Sequence, residues 1–148
     1  ETLRDVFGLK GGPVVAVELR NPSLLTRAYI DALDDVGAVH ARNAWGPMLS
    51  VRAQQQLAEQ PAARALVFRW MLAPGLRYAD AKARFAPFDA IAQPDEATRD
   101  AIAEQSLDAV RAGLPVYVIV NNKAEGSAPA SIDALARRVL ALSEAARR

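Results

Sequence analysis

A chain of 148 residues has the length of one domain and is long enough to bury a core. Its 51% hydrophobic and 24% charged content is that of a globular protein. A net charge of +1, from 18 basic and 17 acidic residues, excludes a purely electrostatic nucleic-acid binder but leaves room for a local basic patch. Cysteine is absent, which removes disulfides, thiolate chemistry and zinc–thiolate sites and fits a cytoplasmic setting. No apolar run reaches the length of a membrane span and no signal-peptide pattern opens the chain. It begins at Glu1 rather than methionine, as a fragment or trimmed product would.

In chain order, "PVVAVELR" (13–20) predicts a first strand. After the turn at Arg20-Asn21-Pro22-Ser23, Ser23 is expected to cap a helix over "LLTRAYIDALDDV", where Leu24, Leu25, Ala28, Ile30 and Leu33 recur at helical spacing. "GAVHA" (37–41) reads as a second strand and 50–60 as a weak helix. "ALVFRW" (65–70) is a third strand, and a short helix over 79–86 is halted by Pro87. Asp95 opens a long helix with Ile102, Leu107 and Val110 expected inward and Gly113 as its stop. "PVYVIV" (115–120) is the fourth strand. Ser127 or Ser131 then opens a helix whose apolar stripe is Ile132, Leu135, Val139 and Leu142. The strands are Val-rich and nearly continuous, as in parallel sheets buried on both faces.

Strand then helix, four times over 1–148 and with no linker between, is an α/β series in a single domain. It suits either a small doubly wound sheet or half of a (β/α)₈ barrel, whose full form takes roughly 250 residues. A doubly wound nucleotide binder would carry a Gly-rich loop after its first strand, and this chain has none there. The expected fold is therefore a partial TIM barrel of about four βα units.

In either fold, ligands are met at the carboxyl ends of the strands. The first strand ends in Glu18 and Arg20, two apart and so on one face. The second carries His40, the chain's one histidine, followed by Arg42, Asn43 and Trp45; Arg69 closes the third. The fourth runs into Asn121, Asn122 and Lys123. Glu18 is the acid/base candidate, with His40 as a possible proton carrier. Arg20 and Arg69 suit a clamp on carboxylate or phosphate, and Asn121, Asn122 and Lys123 suit ligand hydrogen bonding. Each also has a structural reading: an ion pair for Glu18 and the arginines, loop-backbone satisfaction for the asparagines. A single histidine with one nearby acid does not make a metal site, so neither metal nor cofactor is expected. The loop "NNKAEGSAP" joins a lysine to a helix N-terminus, which favours an anion but lacks P-loop spacing.

Four segments carry a family resemblance: "AVELRNPSLL", "VHARNAW", "RWMLAPGLRYADAKARFAPFD" and "VYVIVNNKAEGSAPASIDALA". Together, from about Val14 to Leu140, they resemble the DUF72 (YecE-like) family, most strongly in the strand ending in two asparagines and then in the Glu-x-Arg of the first strand. The resemblance implies a TIM barrel of which this chain holds the C-terminal half, without the family's Gly-rich first strand or its Gln-Leu-Pro-Pro-like strand. The chain reads Arg20-Asn21-Pro22-Ser23-Leu24 where the family often has Arg-His-Pro-Ser-Trp, and Arg69-Trp70-Met71-Leu72 where it has Arg-Leu-His-Gly. The family has no settled activity, and its barrel is similar to those of phosphodiester- and sugar-acting enzymes.

Three readings of function follow. One is a protein that binds a small anionic ligand, phosphorylated or nucleic-acid-related. Another is a hydrolase-like barrel acting on a phosphate ester or sugar. The blandest is a polar cluster that only knits the strand ends together. Open sheet edges and apolar faces predict an N-terminal half-barrel or a second copy as partner, and no membrane.

Overall fold

The computed structural model describes residues 13–147. Its elements alternate as expected: β1 (Ala16–Glu18), a 3₁₀ turn (Pro22–Leu24), α1 (Arg27–Val36), β2 (Val39–Ala44), α2 (Val51–Leu57), β3 (Leu66–Trp70), α3 (Tyr78–Phe85), α4 (Glu96–Arg111), β4 (Val116–Val120) and α5 (Ala128–Ala145). All strands pair in parallel, in the order β1-β2-β3-β4. An order without reversal is that of a singly wound sheet, consistent with a partial barrel, whereas a doubly wound sheet reverses at its switch point.

The register sorts the side chains onto two faces, because strand neighbours alternate and parallel partners share a side. Val17, His40, Arg42, Ala44, Phe68, Trp70, Val118 and Val120 fall on one face. Phe68 and Trp70 form the main core there with Ala101, Ile102 and Ala103 of α4 and Leu135 of α5, and Val116, Val118 and Val120 pack against it. The other face carries Glu18, Ala41, Asn43, Val67, Arg69, Tyr117 and Ile119. Tyr117 is 54% and Ile119 49% exposed, so β4 is not buried on both faces as its composition suggests. An edge strand with alternating burial is a half-buried strand, and Val/Ile content alone does not reveal which face is covered.

Three other local expectations change. Ser23 does not cap the first helix: Asn21 Oδ1 accepts from Ser23 N at 3.0 Å and from its hydroxyl at 2.8 Å, which sets the 3₁₀ turn with Pro22 at its start. Thr26 caps α1 instead, accepting from Tyr29 N, and Gly37 ends it at φ 70°. Val110 and Ile132 face solvent. The buried stripe of α4 is Ile102, Gln105, Ser106 and Ala109, small or polar residues that let it lie close to its neighbours. Ser127, rather than Ser131, stands at the start of α5, but without a side-chain cap bond.

The loop after β4 is tied down by Glu125, which is fully buried. Its Oε1 accepts from Asp95 N at 2.7 Å and from the Arg99 guanidinium. Its backbone oxygen accepts from Ala92 N at 2.7 Å and Gln93 N at 2.9 Å. Gly126 follows at φ 128°, where an added Cβ would stand 2.5 Å from Ala90 O and 2.7 Å from Ala92 N. Both contacts are backbone atoms, so neither can swing aside. Gly126→Ala is expected to cost on the order of 3 kcal/mol of stability in urea melts, from strain plus displacement of the 90–92 segment.

Candidate functional site

Alternation puts Glu18 of β1, Asn43 of β2 and Arg69 of β3 on one face in adjacent strands. Glu18 Oε1 accepts from Arg20 Nε at 3.2 Å, and Oε2 from the Arg69 guanidinium. The carboxylate side chain is 12% exposed, Arg69 is 35% and Arg20 55%. Arg20 also stacks on Trp45, its Cζ 5.0 Å from the ring centroid, which fixes a long side chain at the surface. Trp45, Arg20, Glu18 and Arg69 thus form one chain of contacts across three strands, with two cations for one anion. Asn43, mentioned in the sequence reading but not placed among its site residues, lies fully buried within this face. Its Nδ2 donates to Leu19 O, and its Oδ1 has no partner. The signal for it was parity: position 43 pairs with Arg69.

The remaining sequence candidates have their hydrogen bonds and ring contacts with groups outside that cluster. Asn121 Oδ1 accepts from Lys123 N at 2.9 Å, an Asx turn, and Asn122 Oδ1 accepts from Ala128 N at 2.8 Å at the start of α5. With Ala128 N–H taken and Pro129 having none, the first turn of α5 has few donors left for an anion. Lys123 lies 4.2 Å from the Tyr78 ring centroid and 5.6 Å from that of Phe88, a cation held against two aromatic faces. Beside these strand ends, Trp45, Met48, Leu49, Leu72, Pro74 and Asp95 line a cavity of about 230 Å³; Glu18, Arg20 and Arg69 are not among its walls.

His40 faces the helices, opposite Glu18 and Arg69, because it pairs with Val17 and not with Glu18. It is buried in a network of uncharged groups. Gln54 Nε2 donates to Asn43 O at 2.7 Å and Leu49 O at 2.6 Å, so its oxygen turns to Asn43 N at 3.0 Å and to His40 Nε2 at 3.3 Å. The proton therefore belongs on Nε2, and Nδ1 is free to accept from the Tyr29 hydroxyl 3.1 Å away, which is shared with Val17 O at 3.2 Å. Burial lowers the His40 pKa below its ordinary value; the hydrogen bond with Gln54 opposes this in part, and the nearby Arg42 charge adds a smaller lowering. Burial likewise pushes Tyr29 up to about 12. Both imidazole nitrogens are thus engaged, by Tyr29 and by Gln54.

The family described as "Protein of unknown function DUF72" matches residues 1–147. The chain belongs to the DUF72 family. No curated protein and no solved structure matches it. Membership bears out the resemblance drawn from the strand ends, and it brings no assigned activity with it. Among the described residues of this DUF72 protein, no helix is long and apolar enough to cross a membrane.

The His40 environment sets a pH dependence. With the folded pKa below 6.5, the unfolded chain binds more protons between that value and 6.5, so stability falls as pH drops through this window. His40→Gln is expected to flatten that part of the pH–stability curve, measured by urea unfolding at pH 7.5, 6.5 and 5.5. A slope unchanged by the substitution would assign the loss to other groups.

Proposed function

We propose that this DUF72 chain binds an anionic ligand, phosphorylated or nucleic-acid-related, at the carboxyl ends of its strands. The observation that carries this is the excess of guanidinium over carboxylate at Glu18: Arg20 and Arg69 share one acid, and both keep solvent-facing donors. Each has N–H groups left for a bidentate oxyanion contact. Trp45 pre-orients Arg20, which lowers the ordering cost of binding. Lys123 adds a third cation, and the Nδ2 groups of Asn121 and Asn122 are the ligand donors left after their oxygens serve the loop. Binding is favoured over hydrolase-like catalysis because Glu18 is held between two guanidiniums, which favours its charged form and makes it a weak base.

The same reading treats the sheet as part of a (β/α) barrel. Its unreversed order and the packing of α4 and α5 on one face support that, and Tyr117 and Ile119 mark the face that a barrel would enclose. That face is covered by further βα units or by a second copy of the chain.

Titrating inorganic phosphate at constant ionic strength is expected to raise the melting temperature by roughly 3–6 °C at tenfold Kd. Arg69→Gln should reduce the gain, and Glu18→Gln, which releases both guanidiniums, should enlarge it. Identical gains in all three proteins would assign the cluster a purely structural role. Light scattering on the 148-residue chain tests the covered face. A mass above that of the monomer is expected, and a stable monomer with cooperative unfolding would overturn the barrel reading.

A further inference from the structure

Arg42 is unlike the other strand arginine. It lies on the helix side of β2, partly buried, and among the described residues its guanidinium makes one hydrogen bond, from Nη1 to the neutral Gln105 Oε1. No ion pair among the described residues involves it, whereas Arg69 pairs with the half-buried Glu18 and Arg99 with the buried Glu125. Burial pulls its pKa down to about 10. A guanidinium withdrawn from water without a counter-ion is costly, and a bound anion offsets that cost.

Space for one exists. Arg42 lines two crevices: one of about 180 Å³ between β2, α2 and α4, shared with Gln55, Gln105 and Asp108, and a shallower one of about 560 Å³ beside α2 and the loop after it, shared with Gln55 and Glu59. Gln60, on both walls, is already committed, accepting from His40 N and donating to Asp34 and Ala38 O. The donors left are the remaining Arg42 N–H groups and the Gln55 amide, which has no hydrogen-bond partner among the described residues. Two acids border the site. Asp108 faces Arg111 at 3.8 Å, and Glu59 is an exposed rim residue outside ion-pair distance of Arg42.

We propose that Arg42, with Gln105 holding its guanidinium and Gln55 at the rim, forms a second anion site on the helix side of the sheet, for the oxyanion group of a small phosphate ester or organic acid. It is independent of the site proposed at Glu18, since alternation puts the two on opposite faces.

The test is a titration of the ¹⁵N-labelled chain with inorganic phosphate, and separately with acetate, at constant ionic strength. The Arg42 Nε–H and Gln105 amide resonances are read. Saturable shifts are expected at both, with the tighter anion naming the class. Arg42→Gln should weaken this binding about tenfold or more, as loss of a charge-assisted contact does. Arg69→Gln should leave it unchanged, which separates its failure from failure of the other site. Glu59→Gln guards against the rim acid serving as the counter-ion: tighter binding or no change supports the site. Shifts at Arg42 that are absent, or linear and matched by sodium chloride, overturn it without need of a variant.

Discussion

The fold rests on one buried carboxylate that holds three segments at once. Glu125 joins the loop after β4 to the amino end of α4 through Asp95 and Arg99, while its backbone carries Ala92 and Gln93. Its side chain is out of contact with solvent, so its charge is offset only by the groups it was placed against. Those groups come from positions more than twenty residues away in sequence, and the contact forms only when β4, α4 and the intervening loop are already in place. Such a contact penalises every other arrangement more than it stabilises this one, because a buried acid without its partners is far costlier than a solvated one. Gly126 completes the constraint by letting the backbone pass against Ala90 and Ala92, where a side chain has no room.

Around that anchor the sheet divides its polar groups by kind. The helix side holds amides and a neutral imidazole, with Gln54 and Gln60 satisfying strand and loop backbone that lacks a β partner. The opposite side holds ions, and they are shared unequally. Neutral groups can be buried once their hydrogen bonds are complete, and ions cannot unless they are paired. The side that carries Glu18, Arg20 and Arg69 accordingly stays partly open. Arg42 is the exception, a cation among the amides.

Much of this was legible in the sequence, and the reasons differ by residue. The four strands and the helix start at Asp95 follow from local chemistry that tertiary packing does not override. Glu18 with Arg20 and Arg69 followed from strand ends and spacing. His40 was misallied because nearness to a strand end says nothing about face; the register of Val17 with His40 decides it, and register is a non-local fact. Val110 reads as inward because large apolar residues usually make the core, whereas α4 buries Gln105, Ser106 and Ala109. Glu125 was passed over because an acid in a Gly-containing loop reads as solvated, and nothing local to it names Arg99 as its partner.

The pairing order carries a consequence for how the chain comes together. β1–β2 and β2–β3 each close a similar length of chain, whereas β3–β4 encloses about twice as much, with α3 and α4 inside the loop. Doubling a loop adds only about 0.6 kcal/mol of closure entropy, but the pairing cannot begin until the later strand exists. On a ribosome, the first three strands are therefore free to zip in the order of their synthesis, each new strand adding to the edge just made. The fourth waits for α4, and the Glu125 contact beyond it is the latch that closes last.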